Sequence, residues 1–94
     1  MQLDRLIAAL GATEVANAAS PEISDLAYDT RAVQPGALFF CVPGKNRDGH
    51  ELAPEAVAAG AAALVVERLV APEVPQLVVP SVRRAMPSIF AARV

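Results

Sequence analysis

Apolar residues recur at helical spacing in three parts of this chain. In residues 3–10 they follow the i, i+3, i+4, i+7 spacing of one helical face, and Gly11 ends the helix. A second helix is expected with Pro54 near its first turn and Gly60 at its end. A third begins after Ser81, a good N-cap residue. The sequence therefore predicts three helices.

The last of these helices carries two irregularities. Its apolar face consists of Val82, Ala85, Met86, Ile89 and Phe90. Pro87 lies inside it, and an interior proline costs about 3 kcal/mol, so we expect a kink or the start of a second segment there. The apolar face continues to Val94 without a C-cap, which is typical of a domain cut from a longer protein and also of a frayed natural terminus.

Between the predicted helices the apolar residues form short runs that indicate strands. Alternation from Ile23 predicts a strand whose tip carries residues 29–31, and residues 14–16 are a further short candidate. A turn at residues 35–36 follows. Three runs read as strands buried on both faces: residues 37–42, 63–67 and 76–79. This order predicts one small α/β domain with a mixed or mostly parallel sheet and helices packed on it.

Charge and composition exclude several classes of protein. The net charge is -2 and the basic residues are scattered, so we expect neither a nucleic-acid nor a membrane partner. No apolar run approaches the ~20 residues of a membrane span, and the first residues lack the apolar stretch of a signal peptide, which favours the cytoplasm. The single cysteine, Cys41, lies in an apolar run and is expected to be a buried small hydrophobe rather than a nucleophile.

Candidate chemistry lies in two polar segments that follow predicted strands, residues 28–31 and 44–50. If the two strands are neighbours, both segments line one crevice at the sheet edge where ligands commonly bind. The residue types suit a nucleotide diphosphate. Thr30 offers a hydroxyl, Asn46 suits the edge of a uracil ring, positive charge comes from Arg31, Lys45 and Arg47, and Gly44 and Gly49 allow close backbone approach to a phosphate.

Each feature also has a simpler interpretation. Asp29 and Arg31 form a surface ion pair or tie down a turn, and the lysine and arginine of the second segment are solvated. Asp48 and Gly49 form an ordinary turn, with His50 at the start of the next helix. The chain has no phosphate-loop sequence, no second histidine and no metal-ligand cluster. The residues alone therefore indicate a binding module without a metal or cofactor of its own.

Three ordered blocks resemble the N-terminal domain of Mur ligases and extend the resemblance over nearly the whole chain. They are D-[ST]-R-x-V-x-P-G-x-L-F at residues 29–39, G-x-x-x-D-G-H at residues 44–50, and G-A-x-A-L-V-x-E at residues 60–67. The resemblance implies a domain, residues 1–94, that binds the UDP part of the UDP-N-acetylmuramoyl-dipeptide precursor of peptidoglycan. The central domain, which binds ATP, and the C-terminal domain, which binds the incoming amino acid, would be absent from this chain.

The resemblance also implies a role for individual residues. Tyr28 and Thr30 would flank the uridine, and Lys45, Asn46 and Arg47 would form a loop over the uracil and ribose. Asp29, Arg31, Gly44, Asp48, Gly49 and His50 would shape or support that pocket. The parent enzyme would use ATP and Mg²⁺ to activate the substrate carboxylate as an acyl phosphate.

Within the family, the Tyr28 to Arg31 block looks most like that of the ligase that adds the third peptide residue, meso-diaminopimelate or L-lysine, to UDP-N-acetylmuramoyl-L-alanyl-D-glutamate. The ligase that adds D-alanyl-D-alanine is an alternative, since its first domain has a similar block. A freestanding α/β interaction module without catalysis is the alternative from another class. Thr30 stands where serine is more common, and Leu52 replaces a frequent aromatic residue.

Overall fold

The computed structural model describes residues 2–17, 21–45 and 47–92, with the side chains of the last helix described as far as Pro87. Its helices are α1 (Leu3–Leu10), α2 (Ala53–Ala58) and α3 (Val82–Ala92). Its strands are β1 (Glu14–Ala16), β2 (Asp25–Ala27), β3 (Ala37–Phe40), β4 (Ala63–Val66) and β5 (Gln76–Val78). Short 3₁₀ helices at Thr30–Ala32 and Gly49–Leu52, which the sequence analysis did not predict, follow β2 and precede α2.

The strands form a five-stranded sheet in the order β1-β5-β4-β3-β2. β1 is antiparallel to β5, and the other neighbouring pairs are parallel. The predicted α/β domain with a mixed, mostly parallel sheet is therefore confirmed. Because β2, β3, β4 and β5 run in one direction, their carboxyl ends all lie at the same edge of the sheet.

Both faces of the sheet are covered, which explains the apolar runs of the central strands. Along β3, Leu38 and Phe40 pack on the face that also holds the buried residues of α1 and α3. Phe39 and the flanking Ala37 and Cys41 pack on the opposite face with α2. Successive side chains of a strand point to opposite faces, so a strand covered on both faces needs an apolar residue at every position.

Cys41 is fully buried directly after β3. Burial raises the pKa of its thiol to about 12, so the thiolate that a nucleophile requires is not formed at neutral pH. The prediction of a small buried hydrophobe is confirmed.

The turn before β3 is the one that the proline and glycine predicted. The Ala37 N–H donates to the Gln34 carbonyl at 3.0 Å, and Gly36 between them has a φ of 88°. A Cβ atom at Gly36 would lie 2.8 Å from the Ser24 Oγ. Glycine is therefore favoured here by the backbone conformation, and any larger residue would also displace the Ser24 hydroxyl.

The boundaries differ from the predictions in two respects. β2 begins at Asp25 rather than at Ile23, whose side chain is nevertheless buried in the core. Of the two possibilities expected at Pro87, a kink or the start of a second segment, the structure excludes the second, because α3 continues through this residue. The Ser81 Oγ accepts from the Arg84 N–H at 3.3 Å, which confirms the predicted N-cap. The side chains of Ile89 and Phe90, and Val94 as a whole, lie outside the described residues.

Candidate functional site

The two polar segments meet at one edge of the sheet. β2 and β3 are parallel neighbours, with Asp25 opposite Ala37 and Ala27 opposite Phe39. Residues 28–31 and the described residues after β3, 41–45 and 47–50, therefore leave the sheet side by side. The condition for a shared crevice, that the two strands be adjacent, is met. The carboxyl end of β4, the next strand, adds residues 67–68 to the same edge.

The first segment closes on itself through Asp29. Its carboxylate accepts from the Arg31 backbone N–H at 2.9 Å and from the Arg31 guanidinium at 2.9 and 3.2 Å. These hydrogen bonds, the side-chain ones most, lower the pKa of Asp29 to about 2. The pair is the surface ion pair that also ties down the turn, as the simpler interpretation held. Next to it, Tyr28 has 61% of its surface exposed and Thr30 is partly exposed.

The second segment contains a turn of the same design, built on Asp48. Its Oδ1 accepts from the His50 backbone N–H at 2.9 Å and from the His50 Nδ1 at 2.7 Å, and its Oδ2 accepts from the Arg68 guanidinium at 2.9 Å. Hydrogen bonds from His50 hold the pKa of Asp48 well below its usual range, and the bond from the backbone N–H has the largest effect. Asp48 therefore bonds to His50 within the turn and to Arg68, which follows β4.

His50 is the buried centre of that second turn, since only 1% of its side chain is exposed. Its Nε2 accepts from the Glu67 backbone N–H at 2.9 Å, so the ring proton is on Nδ1 and is donated to Asp48. A neutral imidazole therefore bridges the loop and β4. The interpretation that placed His50 at the start of the next helix is correct, because the 3₁₀ helix Gly49–Leu52 leads directly into α2.

Gly49 and Gly44 make their close backbone approaches to the chain itself. A Cβ atom at Gly49 would lie 2.8 Å from the Cys41 carbonyl carbon, and it would also collide with the Val42 backbone. One at Gly44 would lie 2.5 Å from the Arg47 carbonyl oxygen. Both glycines are therefore needed to fold the loop, which agrees with the supporting role that the resemblance implied for them. Their suggested approach to a phosphate stays a prediction.

The cationic side chains of the loop are exposed. The Arg47 Nη2 lies 3.9 Å from the Glu55 Oε1, a distant ion pair in which both side chains are more than 60% exposed. Within the described part of the chain, the Lys45 ammonium has no ion-pair partner. Asn46, the residue predicted to face the uracil, lies outside the described residues. The loop thus presents two solvated positive charges at the edge of the sheet.

Glu67 and Arg83, which hydrogen-bond to His50 and Pro43 of this loop, were not predicted as site residues. The Glu67 carboxylate accepts from the Val82 N–H at 3.0 Å, and the Arg83 guanidinium donates to the carbonyl of Pro43. Glu67 ends one of the sequence blocks, but nothing in the sequence connects it with α3. For Arg83 the sequence does hold a hint. A cation in the first turn of a helix faces the positive end of the helix dipole, so it does not stabilise the helix there.

Other features of the described residues lie apart from these segments. A cleft of about 590 Å³ opens between α1 and the start of α3, and its lining includes Leu10, Ser81 and Arg84. Among residues 2–17, 21–45 and 47–92, no group of three or more His, Cys, Asp or Glu side chains is arranged to hold a metal. No helix in that part of the chain has the length and apolarity to cross a membrane.

Comparison with known proteins gives consistent matches. The model of the family described as "Mur ligase family, catalytic domain" matches residues 22–94. The UDP-N-acetylmuramoyl-L-alanyl-D-glutamate–2,6-diaminopimelate ligase of Geobacillus thermodenitrificans is 46% identical over 86 residues, which are 92% of this chain and 18% of that protein. The same ligase from Listeria innocua is 40% identical over the same shares of both chains.

A solved structure with a similar fold is the UDP-N-acetylmuramoylalanyl-D-glutamyl-2,6-diaminopimelate–D-alanyl-D-alanyl ligase from Acinetobacter baumannii. It superimposes with a TM-score of 0.82 at 28% identity, over 96% of this chain and 20% of that one. The chain therefore spans about a fifth of the length of the proteins that it matches.

Proposed function

This chain belongs to the Mur ligase family, and from that membership we propose that it is the N-terminal domain with which a ligase of peptidoglycan synthesis holds the uridine diphosphate end of its precursor. The observation that supports this most directly is the parallel pairing of β2 with β3. It brings residues 28–31 together with residues 44–45 and 47–50 at the edge where open α/β sheets commonly bind ligands.

The proposal gives the exposed side chains of both segments a part in binding. Tyr28 and Thr30 flank the uridine, where an exposed aromatic ring offers a stacking surface and the hydroxyl a hydrogen bond. Lys45 and Arg47, both exposed and at most distantly paired within the described residues, are available to the negative charge of the diphosphate. Asn46 is assigned to the uracil edge from its sequence position and from the ability of its amide to donate and accept.

The remaining residues of the two blocks act as supports in this proposal. The Asp29–Arg31 pair fixes the turn that carries Thr30, and the turn from Asp48 to His50 fixes the far end of the loop. Gly44 and Gly49 allow the loop to fold against its own backbone. None of these supports needs to touch the ligand.

The chemical step of the parent enzyme lies outside this chain in the proposal. ATP and Mg²⁺ would activate the precursor carboxylate as an acyl phosphate, and the incoming amine would attack it, in other domains of the ligase. Anchoring the precursor by its distant nucleotide end would hold the carboxylate in place for that step. The domain would contribute binding and orientation, and it would be inactive alone.

The two curated relatives named above favour the ligase that adds the third peptide residue. At 46% identity, the Geobacillus relative carries 2,6-diaminopimelate in its name, and we propose UDP-N-acetylmuramoyl-L-alanyl-D-glutamate as the precursor. The D-alanyl-D-alanyl ligase is the second candidate because its fold superimposes closely, but its sequence identity of 28% is lower. Binding of UDP is common to both candidates.

Titration calorimetry of the 94-residue chain with UDP tests the proposal. Thr30→Val keeps the shape of the side chain and removes its hydroxyl, so we expect UDP binding to weaken roughly 5- to 10-fold. The matched control is Thr13→Val. Thr13 lies just before β1, the strand at the opposite edge of the sheet from β2. Its hydroxyl donates to the Val78 carbonyl.

The control variant should bind UDP as the unaltered chain does. Equal weakening in both threonine variants would indicate a general loss of structure instead of a lost contact. Tight UDP binding that is unaffected by Thr30→Val, Lys45→Ala and Arg47→Ala together would place the ligand elsewhere and refute the proposed site.

A further inference from the structure

The loop of residues 43–50 is attached to α3 as well as to its own turn. Arg83, in the first turn of α3, donates from both Nε and Nη2 to the carbonyl oxygen of Pro43, with an Nε to oxygen distance of 3.2 Å. Two donors on one rigid guanidinium therefore converge on a single peptide group. That peptide group also contains the Gly44 N–H, at the start of the loop.

A second connection fixes where α3 begins. The Glu67 backbone N–H donates to the Nε2 of His50, and the Glu67 carboxylate accepts from the Val82 N–H at 3.0 Å. One residue at the end of β4 thus joins the buried histidine of the loop to the N-terminus of α3. Because Arg83 follows Val82 directly, this connection places its side chain within reach of Pro43.

The position of Arg83 is unfavourable for α3 itself. A cation in the first turn faces the positive end of the helix dipole, where acidic residues are the stabilising ones. The neighbouring Arg84 does not reach the loop, since it lines the cleft between α1 and α3. The contact with Pro43 therefore distinguishes Arg83 from Arg84, which lies in the same turn of α3.

We propose that Arg83 is a positioning residue for the nucleotide site, ordering the peptide between Pro43 and Gly44 and, through it, Lys45. The inference rests on the proposed function, because a positioning role requires a ligand at the loop. Through Arg83, α3 would affect the affinity for the nucleotide although α3 does not contact the ligand.

The test compares Arg83→Ala, Arg83→Lys and the control Arg84→Ala in the 94-residue chain. We expect Arg83→Ala to bind UDP roughly fivefold more weakly, the factor that corresponds to one hydrogen bond. Arg83→Lys should recover part of that affinity, since an ammonium can still donate to the carbonyl. Without ligand, the amide chemical shift of Gly44 should move in Arg83→Ala and stay unchanged in Arg84→Ala.

The unaltered chain is titrated first, which separates the two proposals. If it does not bind UDP, the proposed function fails and the positioning role fails with it. If it binds UDP and Arg83→Ala binds equally tightly, the positioning role alone is wrong. The role is also overturned if Arg84→Ala weakens binding as much as Arg83→Ala does, because the effect would then follow general charge or stability.

Discussion

Two turns of this protein are built on the same local hydrogen bond and differ in what surrounds them. In each, an aspartate accepts from the backbone N–H two residues later and starts a 3₁₀ helix, Asp29 with Arg31 and Asp48 with His50. The partner side chain is 89% exposed in the first turn and 1% exposed in the second. The first turn makes its side-chain bonds within itself, whereas the second is joined to β4 through the Glu67 N–H.

This difference in burial indicates two different tasks for one motif. A hydrogen bond at the surface replaces a bond to water and contributes little to stability, while a buried donor left without its partner has no water to replace it. The Asp29 turn therefore shapes a short exposed segment and presents Tyr28 and Thr30. The Asp48 turn holds a longer loop to the body of the domain.

The largest contrast between the turns should appear on removal of the second partner residue. His50→Ala is expected to lower the free energy of unfolding by about 3 kcal/mol, because it leaves a cavity in place of a buried side chain and removes the acceptor of the Glu67 N–H. The matched control is Arg31→Ala in the exposed turn, which should change stability little. Urea unfolding of both variants measures the difference, and equal losses would contradict the assignment of tasks.

Lowering the pH should reveal a smaller difference between the contributions of the two turns to stability. The pKa of Asp29 is lowered from 3.8 to about 2, and that of Asp48 is held well below its usual range. A carboxyl group with a lower pKa in the folded state stabilises the protein above its unfolded pKa, and this contribution is lost as the pH falls through the folded pKa. Stability should therefore decline from about pH 4 downward.

Asparagine variants show which carboxylate is responsible for that decline. Asp48→Asn should remove more of the pH dependence than Asp29→Asn, because solvent screens the exposed pair of Asp29 and Arg31. Unfolding curves between about pH 5 and pH 2 for the two variants and the unaltered chain measure this. A larger effect of Asp29→Asn would reverse the proposed order.

The smallest effect is expected at the surface contact of the buried turn. Arg68 pairs with Asp48 at 2.9 Å, but 60% of its side chain is exposed. Arg68→Ala should cost about 0.5 kcal/mol, as is usual for surface ion pairs. Thermal unfolding at low and at high salt would detect it. A loss as large as that of His50→Ala would show that the ion pair, not the histidine, holds the turn.

Most of the fold follows from patterns that can be read residue by residue. The helical spacing of α1, the continuous apolar residues of β3 and β4, and the turn at Gly36 all predicted what the structure contains. These signals are local, because each depends on residues within one or two turns of chain. The predicted start of β2 was early because the alternation of apolar residues begins at Ile23, which packs in the core without belonging to the strand.

The connections of the candidate site were less predictable. The sequence placed residues 28–31 and 44–50 after predicted strands and left open whether those strands are neighbours. It assigned His50 to the start of a helix and, by resemblance, to the support of the pocket. Nothing local indicates that Glu67 would bond both His50 and the N-terminus of α3, since these groups meet only when the sheet is assembled. The same holds for Arg83 and Pro43, which are 40 residues apart in sequence.

The measurement that tests the central claim most directly is an amide chemical-shift titration of the labelled 94-residue chain with UDP. Saturable shifts are expected at Tyr28, Thr30 and residues 44–50, with the residues of β1 unchanged because β1 lies on the opposite side of the sheet from β2. Absence of any shift at millimolar UDP in a folded chain, or shifts confined to the cleft between α1 and α3, would contradict a uridine diphosphate site at the ends of β2 and β3.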